Sequence, residues 1–501
     1  MKKKIVAAML TAAMVLSLAA CGGGSGSEGE GTASGDDGKE PYTVTMVLQG
    51  SQPADEERIE EKINEILEKE VNANLDIVVF PWASAKQQLQ LMLAGDEKID
   101  CFYTNATDAI QYMHSGQIMD MSELVEDYGT NLKGIYGEEV LNSITVDGFM
   151  YGVPNQIERG SIPAIFMRKD LVEKYKIDTA AIKEPKDMEK VFETVKAGEP
   201  DMTMLFSANE DAPVTRLFGG DPLSDDYYLG VLMDQENSTT ITNFFASDWY
   251  KDTTAMLYDW YQKGYISKDA GTDTENWRTV CKAGNLFSLF FTYHPGTPVE
   301  FKSSTGYDFE IVPFRDYPIK NCKTYNNVIY SIAQNSENPE KTMETLDYMY
   351  KSPEIMNLLN WGEEGVDYVI EDAENGIINY PEGITADNVG YSLNLGWELP
   401  NQFIAHKWTG SDPQLWEKME EFNDSAKMSK AVGFCFDNTQ YESQVAALTN
   451  VVKQYTGSLN SGSVDPETYL PEFLDALQAA GIDEIIQAKQ EQFDKWLDEN
   501  K

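Results

Sequence analysis

Histidine and cysteine are scarce in this chain of 501 residues, with 3 His and 5 Cys. Three His leave little room for a multi-His zinc site, and five scattered Cys do not make a disulfide scaffold. Positive charge is also short: 39 Lys+Arg stand against 83 Asp+Glu, a formal net charge of -44. Phosphate contacts need clustered Lys and Arg, so no nucleic acid is expected as a partner. The same deficit argues against adsorption to an anionic membrane surface. No G-x-S-x-G elbow, H-E-x-x-H pair or P-loop occurs. His114, His294 and His406 are isolated, and Cys101, Cys281, Cys322 and Cys435 have no C-x-x-C spacing. The acidic stretch Asp221-Pro-Leu-Ser-Asp225-Asp226 is not a calcium loop. Neither a metal nor a cofactor is expected.

What is present is a globular composition, 42% hydrophobic and 24% charged. The length is enough for roughly two to four domain-sized units. Aromatic residues are plentiful: 9 Trp, 26 Tyr and 21 Phe.

The first forty residues carry an address. Lys2, Lys3 and Lys4 precede an apolar run over 5–16 that ends in Leu18-Ala19-Ala20-Cys21. A charged start, a short apolar stretch and small residues before a cut site describe a secretory signal over 1–20. The run is too short to span a bilayer. The tetrapeptide resembles a bacterial lipobox, which implies lipidation of Cys21. Residues 22–40 hold eight Gly, three Ser and five acids and no large apolar side chain. Such a segment cannot bury enough surface to offset its ordering entropy, so 21–40 is expected to be a flexible tether. The Gly24-to-Gly29 match to G-x-G-x-x-G has no strand before it and no helix after it, and carries no weight. Loss of the signal removes three Lys and no acid, which takes the charge from -44 to -47.

From residue 43 onward strands and helices alternate. Residues 43–48, 75–80 and 99–103 read as strands, and 85–93 and 106–114 as helices. Pro53 and the acids Asp55, Glu56 and Glu57 mark another helix start, followed by Ile59, Ile63 and Leu67 at helical spacing. The alternation predicts an α/β body with mostly parallel sheets, in which ligands bind beyond the carboxyl ends of strands. A hairpin over 146–153 leads to a strand over 162–168 and further elements, and the last third reads as largely helical.

Several of these segments resemble the extracellular solute-binding lipoproteins of ABC importers, of the family-1 or carbohydrate type. Asp147-Gly148-Phe-Met-Tyr151-Gly152-Val-Pro154 is similar to that family's D-G-x-x-Y-G-x-P turn, and Arg168-Lys169-Asp170-Leu171 to its R-K-D-L helix start. Lys263-Gly264-Tyr265-Ile266 and Asn338-Pro339-Glu340 resemble further family segments, and 433–497 resembles the helical C-terminal region of a lipoprotein subgroup. The resemblance implies a two-lobed clamp of the type II periplasmic-binding-protein kind. Lobe one is expected over 41–155 plus 307–380, and lobe two over 156–306 plus 381–501. It implies a monomer held outside the cell membrane by lipid. That monomer would close on a carbohydrate, an oligosaccharide, and deliver it to ABC permease subunits.

A sugar offers apolar ring faces and in-plane hydroxyls, so its cleft needs aromatic platforms and a few planar polar groups. Trp82, Trp277, Tyr293, Trp361, Trp397 and Trp408 lie where loops are predicted and are the aromatic candidates. Gln49, Ser51, Thr104 and Asn105 directly follow predicted strands, where turn and cap chemistry is the plainer reading. Asn155 and Arg159 follow the hairpin and are placed to reach a cleft. Glu364 is a candidate acceptor, although Glu364-Gly365 also fits a hairpin turn. The residues leave open a surface glycosidase, since 83 acids can supply two carboxylates. A peptide-binding importer component and a surface adhesin or sensor also remain open.

Overall fold

The strand Tyr42–Gln49 is buried on both faces, as its run of Val44, Thr45, Met46, Val47 and Leu48 requires. It is the second strand of the molecule's larger sheet. The computed structural model describes residues 40–499 apart from 96 and 209–210. Residues 1–20, Cys21 and all but the last residue of the 21–40 tether lie outside the described residues. The chain from Pro41 onward makes one compact unit.

Five strands form the first sheet, in the order Ala73–Phe80, Tyr42–Gln49, Cys101–Thr104, Ile329–Ile332, Val153–Pro154. Tyr42 pairs with Ala73 and Gln49 with Phe80 in parallel register. The helix Glu56–Val71 connects these two strands and buries Ile59, Ile63, Leu67 and Val71, one residue per turn. It also covers the outer edge of the sheet. Glu60 accepts the Ile77 N–H at 2.6 Å, and Asn64 accepts the Leu75 N–H at 2.7 Å, so donors of the edge strand are taken by side chains.

The second sheet runs Phe309–Pro313, Ile162–Arg168, Leu286–Tyr293, Thr203–Leu205. Its core contains Phe192, Trp260 and Phe287, and the C-terminal helices Glu442–Asn460, Pro466–Ala479 and Ile482–Glu499 add Leu448, Phe473, Leu477 and Ile485 to the same core.

Both sheets are mixed rather than mostly parallel. Ile329–Ile332 runs antiparallel to both its neighbours, and Ile162–Arg168 antiparallel to both of its own. A parallel pair needs a crossover that returns the chain to the same end. These strands instead enter their sheet from the connections between the two sheets, and so arrive from the opposite end.

The connections run through 155–161, 314–328 and 406–430. They are tied together by bridges Gln156–Asn401 and Ser161–Ile319 and by pairing of Ile319–Lys320 with Lys427–Met428. Two segments differ from the expected lobe limits. The strand Phe309–Pro313 pairs in the second sheet, and Tyr391, Leu393, Leu395 and Leu399 pack in the first core.

Candidate functional site

The carboxyl ends of the first sheet's strands carry Gln49, Phe80 and Thr104, and the segment 394–398 lies across them. Asn360 holds this segment: its Oδ1 accepts the Leu395 N–H at 2.8 Å and its carbonyl accepts the Asn394 N–H at 3.1 Å. At Gly396 a Cβ would come within 3.2 Å of Gln402 Cγ and 3.3 Å of Asn360 Nδ2, so the segment packs close there. The Gln49 N–H donates to Glu398 Oε1 at 2.7 Å, and Tyr330 donates to the Glu398 carbonyl at 2.8 Å. Glu398 is fully buried, and desolvation pushes its carboxyl up to about 8.

The outcome is a fixed position for Trp397. Its ring stacks on Trp82 with centroids 5.7 Å apart and planes 22° from parallel, and meets Tyr103 edge-on at 6.0 Å. Trp82 remains 50% exposed, so this stack presents a large apolar face to solvent.

Trp361 ends the helix Pro353–Trp361, whose start is capped by Ser352. The helix stops at Gly362, where φ is +90° and a Cβ would strike Asp367 Oδ2 at 2.3 Å. Asp367 in turn accepts two hydrogen bonds from Arg58 at 2.8 and 2.9 Å. The Trp361 indole N–H donates to the His406 carbonyl at 3.1 Å, and its ring lies 5.4 Å from that of Trp408.

A cavity of about 270 Å³ opens between these groups and the second-sheet side. Asn360, Trp361, Asn394, Trp397, Gln402 and His406 line it together with Glu158, Glu300 and Trp416. Trp416 is fixed by its N–H to the Ala405 carbonyl at 2.7 Å and by stacking on Phe403 at 5.6 Å. The Gln402 Oε1 is buried with no protein hydrogen-bond partner.

Two carboxyls stand on the far wall. Glu158 comes from the 155–161 connection, and Glu300 from the first turn of the helix Thr297–Thr305. His294 Nε2 lies 3.6 Å from Glu300 Oε2. Desolvation raises both carboxyls, Glu300 to about 7, and holds the His294 imidazole below its usual range, so it is neutral at pH 7. Glu300 keeps 55% of its side chain accessible, within reach of water and of a ligand hydroxyl.

The structure brings Trp82, Trp361 and Trp397 to one place, with Trp408 packed behind Trp361 and against Tyr380 at 4.5 Å. Gln49 and Ser51 border the 394–398 segment, where Gly50 approaches Leu395. Asn155 is buried and donates its amide to the Trp397 carbonyl, so it positions that ring rather than facing a ligand. Arg159 is likewise committed. It lies between the Tyr136 and Tyr325 rings at 4.5 and 4.6 Å and donates to the Asn155 carbonyl and Gln156 Oε1.

Trp277 is a correction. It is 1% exposed and stacks on Phe301 at 4.4 Å inside a core, because Asn276 caps a helix there and turns the ring inward. Glu364 is exposed on a tight turn closed by the Gly365 N–H to the Tyr368 carbonyl at 2.6 Å; it does not line the cavity itself but lies in electrostatic reach of His406, which does. Thr104 is buried, and Asn105 accepts the Asp108 N–H at 3.1 Å as the cap of Ala106–His114. Asn105 faces a separate polar cavity of about 360 Å³. Tyr293 is half-buried, edge-on to Phe422 at 6.0 Å.

Sequence reasoning missed Glu158, Glu300, Asn360, Asn394, Gln402, His406 and Trp416 as members of the site. Among the described residues no His, Cys, Asp and Glu cluster is arranged to hold a metal, and no helix is long and apolar enough to cross a membrane.

Comparison with known proteins gives this arrangement a context. Residues 62–285 match the family model of bacterial extracellular solute-binding proteins, and 430–498 match a domain of unknown function, DUF3502. A carbohydrate ABC transporter substrate-binding protein of Streptococcus pneumoniae is 26% identical, over 100% of this chain and 99% of its own length. The diacetylchitobiose binding protein DasA of Streptomyces coelicolor is 30% identical over 31% of this chain and 34% of its own. The crystal structure of the N-glycan transport solute binding protein NgtS of S. pneumoniae superposes with a TM-score of 0.83 at 24% identity, covering 92% of this chain and all of that one. The same protein in complex with Man1GlcNAc superposes at 0.73, over 91% of this chain and all of that one. Residues 62–285 thus carry the signature of bacterial extracellular solute-binding proteins, and the chain as a whole has the fold of the NgtS structure. The relatives named are all described as binding proteins, and none as an enzyme.

Proposed function

We propose that this extracellular solute-binding protein captures an oligosaccharide between its two lobes and delivers it to an ABC permease. The observation that carries the reading is the cavity flanked by Trp361, Trp397 and Trp416, with Trp82 extending its aromatic face to solvent. Sugar rings stack on such faces through their C–H surfaces, and Asn360, Asn394 and Gln402 offer amides to ring hydroxyls. The full-length S. pneumoniae relative, a carbohydrate ABC transporter substrate-binding protein, supports the same ligand class.

A ligand that touches both walls favours closure of the lobes about the connections at 155–161, 314–328 and 406–430. This chain superposes with a TM-score of 0.83 on one NgtS structure and 0.73 on NgtS in complex with Man1GlcNAc, a difference that supports lobes able to change their arrangement. The lobes of this reading follow the cores. Lobe one takes the first sheet with the 391–405 segment, and lobe two takes the second sheet with the C-terminal helices. The mature protein starts at Cys21, whose lipid holds it outside the cell membrane through the 21–40 tether, and it works as a monomer.

Titration calorimetry of the mature protein tests this, using neutral oligosaccharides on one side and short peptides on the other. Saturable heat with an oligosaccharide is expected. Binding of peptides alone would assign the cleft to a peptide importer instead.

A further inference from the structure

The charges around the cavity narrow the ligand further, given the glycan reading above. The cavity lining contains two carboxyls, Glu158 and Glu300, and no Lys or Arg. Three cations near it are engaged, and a fourth, Arg278, is exposed and in electrostatic reach of Glu300. Arg159 is held between two tyrosine rings and donates to Asn155 and Gln156. Arg216 pairs with Asp211 at 2.9 Å and lies 4.5 Å over Phe291, while Arg278 lies 4.4 Å over Trp277. Lys407 donates to the Pro413 carbonyl at 2.6 Å. An anionic sugar entering this space would find no Lys or Arg in the lining to replace its lost water, and two carboxyls to oppose it, with Arg278 offsetting the charge of Glu300 in part.

We infer that the cleft selects against sugars carrying a carboxylate, sulfate or phosphate, and that Glu158 and Glu300 impose that selection. Neutral hydroxyls suit the same two groups, because an ionised carboxylate accepts two hydroxyl donors and a protonated one both donates and accepts. Desolvation raises both carboxyls, offset in part by His294 at Glu158 and by Arg278 at Glu300.

The test compares neutral mannose- and N-acetylglucosamine-containing oligosaccharides with the same sugars oxidised at C6 to uronates. Titration calorimetry is run at pH 8, above the Glu300 value. The wild-type protein is expected to bind the neutral member at least about tenfold more tightly, as like charges in a closed site are costly. Glu158→Gln with Glu300→Gln is expected to shrink that ratio. Glu300→Gln alone provides the same readout if the double variant fails to fold, since its side chain is largely accessible. Equal binding of both sugars, or a ratio unchanged in the variants, overturns the inference and leaves the glycan reading standing. Failure of every sugar overturns the glycan reading and this inference with it.

Discussion

Trp82 and Trp397 stack ring on ring, 5.7 Å between centroids, although 315 positions separate them in sequence. Trp82 follows the strand Ala73–Phe80, and Trp397 lies on a segment fixed by Asn360, Glu398 and Asn155. One ring is anchored and the other half-free, which is the form of a platform that a planar ligand can extend.

Trp82→Ala is therefore expected to weaken oligosaccharide binding by about 1–3 kcal/mol while the melting temperature stays near that of the wild type. Trp397→Ala should lose both, since its ring also packs against Tyr103. Calorimetry and thermal denaturation separate the two effects. A Trp82→Ala protein with full affinity would remove that ring from the site.

Trp277→Ala should behave in the opposite way. Its ring is buried against Phe291 and Phe301, so truncation leaves a cavity and costs about 3–5 kcal/mol of stability. Affinity for oligosaccharide, measured on the folded fraction, should be unchanged.

Lys489 ties the C-terminal helix Ile482–Glu499 to the 221–232 segment. Its fully buried ammonium bonds Asp225 Oδ2 at 3.0 Å and the Gly230 carbonyl at 3.1 Å. Lys489→Ala leaves Asp225 without its cation and is expected to cost about 3–5 kcal/mol in chemical denaturation. A loss below 1 kcal/mol would show that the pair contributes little.

Glu398 gives the stability a pH dependence of known sign. Its folded value of about 8 lies above that of an unfolded glutamate near 4.3, so the folded state binds this proton more tightly. Its contribution is fully present below about pH 4.3 and is lost as pH rises through 8. Glu398→Gln should flatten the fall in melting temperature between pH 5 and 8 relative to the wild type. Parallel curves for the two proteins would refute the assignment.

The anchor has its own test. Cys21→Ser should move the protein from the membrane fraction to the medium. Retention of the variant in the membrane fraction contradicts lipidation at Cys21.

Much of the fold was legible in the sequence because its signals are local. The helix at 106–114 is found at those limits, and the strand read at 75–80 occupies Ala73–Phe80. Sheet direction was less legible. Ile329–Ile332 reads as an ordinary buried strand, and only its entry from the inter-sheet connection makes it antiparallel. The site was legible through its tryptophans and not through its polar wall. Glu158, Glu300 and Gln402 sit on three segments that meet only in the folded chain, and as single residues they look like any of the molecule's solvated side chains. Trp277 misled because a short helix after Asn276 is hard to distinguish from a loop, yet it turns the ring into the core. Asn155 and Arg159 were found for the right region, but they hold the site's frame.

The central claim is capture between two lobes, and small-angle X-ray scattering of the mature protein tests it most directly. A saturating oligosaccharide is predicted to lower the radius of gyration as the lobes close about the connections. An unchanged radius with the sugar demonstrably bound would place the ligand on one lobe and contradict the account.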